Sequence, residues 1–211
     1  MSRLASSDVV LVLGKRGSGK SHAAKQLIAA ELDAGARVVA FDPHDEYSRH
    51  GRKTSEVTLG PLEQRCTVAE LEQRPELLDS RKLSLAVVPS VRKGPELAEE
   101  FETVSGMVTS TGRVTFVADE VGEYSDHAAE ELKSLATQSR HYLVPLVLVA
   151  QRATQVPKTA RSQASRILCG RQDEPDDLAA LEKRTRLTAP DFAARVSRLP
   201  RRQLLEWRDT N

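Results

Sequence analysis

The run Gly14-Lys15-Arg16-Gly17-Ser18-Gly19-Lys20-Ser21 constrains this chain more than any other feature. Apolar Val9 to Leu13 precede it, and a helix-forming stretch from His22 to Leu32 follows. A buried strand, a glycine-rich turn and a helix N-terminus together build a pocket for a triphosphate. Gly14, Gly17 and Gly19 let backbone N–H groups curl around phosphates without Cβ interference. Lys20 has the reach for the β- and γ-phosphates, and the Ser21 hydroxyl is a candidate Mg²⁺ ligand. Residues Gly14 to Ser21, with His22 beside them, are therefore the candidate nucleotide-binding set, with ATP and Mg²⁺ as the implied ligands.

Around this loop the pattern alternates between strand and helix. Buried strands are expected over Val9–Leu13, Arg37–Phe41, Leu83–Val88, Val114–Ala118 and Leu146–Ala150, with weaker ones at Arg166–Cys169 and Gln203–Trp207. Helices are expected over Ser21–Ala34, Glu96–Thr109, Asp126–Arg140 and Pro175–Lys183. Short runs rich in Val and Leu suit parallel strands covered on both faces. The fold class is thus α/β, a mostly parallel central sheet with helices on both faces, in one domain over residues 1–211. Ser48 to Ser80 gives no clear assignment.

At 211 residues the chain can bury a sizeable core, and 39% hydrophobic with 29% charged residues is the balance of a globular protein. No stretch approaches the ~18 apolar residues of a membrane span. Met1 to Asp8 carries no signal-peptide h-region, so a cytoplasmic chain is expected. Cys66 and Cys169 read as ordinary thiols in that compartment. A net charge of +1 excludes a uniformly basic nucleic-acid binder. Arginines do recur from Arg152 onward, diluted by an acidic patch from Asp173 to Asp177.

Three further motifs carry chemistry. Val114 to Ala118 ends in Asp119-Glu120. Ligands of open α/β sheets bind at the carboxyl ends of strands, so both acids should face the nucleotide. Asp119 would hold the Mg²⁺ shell, and Glu120 would polarise the water attacking the γ-phosphate. Capping of a following helix explains the same letters less completely. Leu146 to Ala150 ends in Gln151-Arg152, where a neutral donor and acceptor can register a phosphate or a water. Phe41-Asp42-Pro43-His44-Asp45-Glu46-Tyr47 crowds acids at the same sheet edge, as a tuning loop or as a solvated Asp-Pro turn. His44 has no metal-spaced partner.

Together these four motifs resemble the HerA–FtsK branch of P-loop motor ATPases. Phe41 to Tyr47 is similar to that branch's Asp-Pro-His-Gly-Glu-Tyr signature, with Asp45 in place of glycine. Ser139-Arg140-His141 and Leu146 to Arg152 resemble the segment ending in Ala-Thr-Gln-Arg-Pro, with Ala153 in place of proline. Ser162 to Ile167 resembles the next block. The resemblance implies a RecA-like P-loop NTPase of the type with an additional strand and a catalytic glutamate. It also implies a ring, usually hexameric, with an arginine supplied to the neighbour's γ-phosphate; Arg140, Arg166 and Arg171 are the candidates.

A bare motor of this length looks most like genome-packaging ATPases of internal-membrane phages and viruses. The implied partners are double-stranded DNA and a capsid or membrane-vertex protein, in host cytoplasm or on the virion. A conjugation or filamentous-phage-assembly motor is the first alternative. A small-molecule kinase is disfavoured by the Asp119-Glu120 pair with Gln151, and a nucleotide switch without turnover by intact Lys20, Ser21 and both acids.

Overall fold

The central strands in this chain are short, apolar and rich in β-branched residues, which lets both of their faces be buried. The computed structural model describes residues 3–51 and 59–209. In chain order the elements are β1 (Val9–Leu13), α1 (Lys20–Asp33), β2 (Val38–Phe41), β3 (Gln64–Thr67), α2 (Val68–Gln73), β4 (Ser84–Val88) and α3 (Pro95–Thr111). They continue with β5 (Thr115–Ala118), α4 (Ala129–Tyr142), β6 (Leu146–Ala150), α5 (Lys158–Ser162), β7 (Arg166–Cys169), α6 (Pro175–Thr185), α7 (Phe192–Ser197) and β8 (Leu205–Arg208). Among the described residues these strands form one sheet in the order β3-β4-β2-β5-β6-β1-β7-β8. Every pairing is parallel except β7 with β8.

Alternate residues of each central strand feed opposite layers. Val9, Leu11 and Leu13 join the layer beneath α3 and α4, while Val10 and Val12 join the layer beneath α1. In α1 the inward residues Ala23, Ala24, Leu27 and Ile28 recur at helical spacing. The sheet is thus covered on both faces, as the run of five buried residues in β1 requires.

Two features of this topology position the site. Strand β6 lies between β1, which carries the glycine-rich loop, and β5, which carries the two acids. Strand tips are then tied at one edge: Gly14 N–H donates to Ala150 O at 3.2 Å, Gly170 N–H to Leu13 O at 2.7 Å, and Asp119 N–H to Phe41 O at 3.1 Å. The ends of β2, β5, β6, β1 and β7 therefore meet in one row.

Some boundaries differ from expectation. Helix α4 starts at Ala129, because residues 124–128 make turns behind the acidic pair, with Ala128 N–H bonded to Tyr124 O. Strand β8 lies over Leu205–Arg208 instead of starting at Gln203. Within Ser48 to Ser80, residues 52–58 lie outside the described residues, and the rest supplies β3, α2 and a 3-10 turn at Pro75–Asp79. Strand β3 is a sheet edge with mostly exposed polar side chains, so hydrophobic patterning does not reveal it.

Candidate nucleotide-binding site

The glycine-rich loop is shaped by close approaches that admit no side chain. Gly19 caps α1 in the left-handed region with φ 96°, where other residues are strained. A Cβ on Gly14 would collide with the Ser18 side chain, and one on Gly170 would lie 2.8 Å from Ser18 Cβ. Ser18 is thus wedged between the loop's first glycine and the tip of β7. Gly170 was not singled out by the sequence, since it belongs to no local motif.

At the centre is Glu120, whose carboxylate three side chains approach. Lys20 Nζ donates to its Oε1 at 3.0 Å, Gln151 Nε2 donates to its Oε2 at 3.2 Å, and His44 Nε2 lies 3.8 Å from Oε1. Lys20, Asp119 and Glu120 are all buried. Burial pulls the Lys20 ammonium down, but Asp119 and Glu120 outweigh it and hold it above its ordinary value. Burial likewise pushes Glu120 up, and Lys20 outweighs it, keeping the carboxyl below its usual range. The residues expected to work together, Lys20, Glu120 and Gln151, are therefore in one hydrogen-bonded group.

Glu120 itself has φ 47° and ψ 44°, a left-handed conformation that costs a non-glycine residue about 1–2 kcal/mol. A short 3-10 turn, Val121–Glu123, follows it, then Tyr124, which is buried against Phe101 and Phe41 at ring separations of 4.7 and 5.7 Å. Such aromatic pairs contribute about 0.5–1.5 kcal/mol each, enough to offset the strain. The sequence gives no sign of this strain.

Asp119 stands beside Glu120 with its Oδ1 buried and lacking a hydrogen bond of normal geometry. Burial pushes its carboxyl up to about 7, against the pull of Lys20. A buried carboxylate oxygen with no hydrogen bond of normal geometry, one residue from the catalytic candidate, fits a magnesium ligand. Among the described residues no three His, Cys, Asp or Glu side chains converge on a metal site. The residues fit a Mg²⁺ that is completed by phosphate and water, with Ser21 and Asp119 as the protein's share.

The Asp42 loop closes the far side. Asp42 accepts from Glu46 N–H at 3.0 Å and Tyr47 N–H at 2.7 Å, and burial pushes its carboxyl up to about 6. Asp45 takes φ 57°, the conformation glycine would supply at that position, and its Oδ1 accepts from Arg65 Nε of β3 at 2.8 Å. Asp tolerates the left-handed region better than most residues, so the loop keeps its turn despite the substitution. Lys25, on α1, is buried with its Nζ 3.8 Å from Glu46, a contact the sequence reading missed.

The acidic patch from Asp173 to Asp177 is exposed except for its last member. Lys15 of the glycine-rich loop pairs with Asp173, and Asp177 is wholly buried on α6. The remaining candidates are spread out. Lys15, Arg16 and His22 flank the loop at least partly open to solvent. Arg166 is buried in its own chain, with Nε 2.9 Å from Glu206 of β8. Arg171 is exposed just after Gly170, at its own chain's glycine-rich loop. Arg140 is exposed in the last turn of α4, next to the start of β6 and away from that loop.

Fold and site together define a P-loop NTPase domain with an additional strand, β6, between the loop strand and the acid-bearing strand. The chain belongs to the family described as helicase HerA, central domain, whose model matches residues 7–133. In fold it is similar to the genome packaging NTPase B204 from Sulfolobus turreted icosahedral virus 2 in complex with ATP-gammaS. That likeness has a TM-score of 0.67 at 17% identity and covers 97% of this chain and 94% of that one. The DNA-packaging ATPase B204 from Sulfolobus turreted icosahedral virus gives 0.66 at 18%, covering 97% and 94%. VirB4 of Thermoanaerobacter pseudethanolicus gives 0.64 at 14%, covering 100% and 90%. No curated protein matches in sequence. Among the described residues no helix is long and apolar enough to cross a membrane.

Proposed function

We propose that this chain hydrolyses ATP and couples that hydrolysis, in a ring of identical subunits, to the movement of double-stranded DNA during genome packaging. The observation that carries the reading is the convergence of Lys20 and Gln151 on the Glu120 carboxylate, directly above the glycine-rich loop. Residues 1–211 would act as a single motor domain.

The chemistry follows from the side chains. The triphosphate lies in the loop formed by Gly14 to Ser21, and Lys20 exchanges Glu120 for the β- and γ-phosphates. Glu120, released from that pair, accepts a proton from the water that attacks the γ-phosphorus. Gln151 holds the same water through its amide, and the products are ADP and phosphate. Ser21 and Asp119 would hold Mg²⁺, which neutralises charge on the phosphate oxygens when bound.

A trans arginine has to be exposed and remote from its own loop, and Arg140 meets both conditions. Support for DNA as cargo comes from membership in the HerA central-domain family and from likeness to the packaging enzymes. The similar fold of VirB4 favours, as second reading, a transfer motor with another cargo. A hexamer, and a capsid or membrane-vertex protein that anchors it, complete the proposal, with the enzyme in host cytoplasm or on the virion.

The test is phosphate release from ATP by the wild-type chain and by Lys20→Ala. Loss of both nucleotide binding and turnover in the variant is expected. Equal turnover in the two proteins would overturn the assignment, and phosphate passed to a small acceptor instead of water would mean a kinase.

A further inference from the structure

Behind Gln151 lies a polar cluster, built on a buried carboxylate with half-buried and exposed donors, that the mechanism above does not use. Asp177, in the first turn of α6, has no exposed surface. Its Oδ2 accepts from Arg152 Nε at 2.9 Å, and its Oδ1 accepts from Thr154 N–H at 2.9 Å and Thr154 Oγ1 at 2.7 Å. Gln172, also wholly buried, donates from Nε2 to Gln151 O at 2.9 Å. Gln155 adds an inner tie, its Oε1 accepting from Arg152 N–H at 3.0 Å, while its amide packs against Gly122 in the turn after Glu120.

A buried carboxylate is costly unless paired, so a site that spends three donors on Asp177 fixes the geometry of whatever carries them. Those donors are the residues directly after Gln151. The same segment, Gln172 to Asp177, reaches the glycine-rich loop through the pair of Asp173 with Lys15. One short stretch of chain thus braces both the phosphate-binding loop and the strand tip that presents Gln151. Helix capping does not account for this: a carboxylate at a helix N-terminus favours its own first-turn N–H groups, whereas Asp177 is turned to another loop.

We infer that Asp177 is a positioning residue that sets Gln151 against Glu120, acting through Arg152 and Thr154 and never touching nucleotide. This inference rests on the ATPase reading above. Displacement of an aligned group by about 1 Å is enough to lower turnover by up to 100-fold, without loss of substrate binding.

The experiment compares steady-state ATP hydrolysis and binding of a fluorescent ATP analogue by wild type, Asp177→Asn, Gln151→Ala and the double variant. Asp177→Asn should lower kcat by about 10- to 100-fold while KM moves less than about twofold. In the Gln151→Ala background the same change should cost less than about twofold, because the group it positions is already gone. An equal fold-loss in both backgrounds would make Asp177 merely structural and overturn the inference alone.

Thr154→Val, which removes one hydroxyl donor and keeps the volume, gives the same comparison if Asp177→Asn does not fold. Its loss of kcat should likewise vanish in the Gln151→Ala background, and persistence there overturns the inference. A folded wild-type chain that binds the analogue but hydrolyses nothing overturns the proposed function, and this inference with it.

Discussion

Replacing Glu120 with glutamine should separate stability, binding and chemistry. The side chain keeps its shape, but one carboxylate oxygen becomes an NH₂ group. Lys20 Nζ at 3.0 Å and Gln151 Nε2 at 3.2 Å are both donors, so the amide satisfies only one of them. A buried hydrogen bond to a charged group contributes about 1.5–3 kcal/mol, and its loss lowers the Tm of a domain this size by about 3–10 °C. Nucleotide binding moves the other way. Lys20 must leave Glu120 to reach a phosphate, and a neutral amide holds it less tightly, so affinity for ATP should be unchanged or higher. Turnover loses its general base and should drop by about 10²- to 10⁴-fold. Calorimetric melting, fluorescence titration with an ATP analogue and a phosphate-release assay read the three effects. A Glu120→Gln protein that melts lower, binds ATP and still turns over within a few-fold of wild type would refute the water-activating role.

Three other outcomes are expected. Asp42 has a raised carboxyl pKa of about 6, so the native state holds its proton more tightly than the unfolded chain. Its contribution is complete below the ordinary carboxylate value and is lost as pH rises through about 6; lowering pH from 8 to 5 should therefore add about 1 kcal/mol from Asp42 on top of the same-signed contribution of Asp119, and Asp42→Asn should flatten the slope by that amount in denaturant titrations. Asp45→Ala should destabilise by about 1 kcal/mol more than Asp45→Gly in urea unfolding followed through Trp207, since only glycine relieves the positive φ; the reverse order would show that the loop is unstrained. Gly170→Ala should lower ATP-analogue affinity by displacing Ser18 and with it the phosphate loop that Ser18 belongs to; unchanged affinity would mean that the loop yields freely.

The parts of this molecule legible in its sequence are those written as contiguous letters. Gly14 to Ser21 marks its own turn, and Asp119-Glu120 and Gln151 announce themselves because each follows an apolar strand whose end must face the ligand edge. Asp45 was legible as a departure from a glycine signature; its positive φ and its bond to Arg65 were not. Neither the pairing of Arg166 with Glu206 nor the burial of Asp177 has a local signal. Both depend on segments far apart in the chain meeting across β7, β8 and α6, and an arginine or an aspartate reads alike in or out of such a contact. Strand β3 escaped for another reason: its polar edge residues lack the apolar run that marked the central strands.

The most direct test of the account is steady-state ATP hydrolysis with and without double-stranded DNA, over a range of protein concentrations. The account predicts turnover that rises with subunit association and rises further with DNA, with DNA stimulation weakening as salt increases. Turnover indifferent to both DNA and protein concentration would contradict a DNA-moving ring.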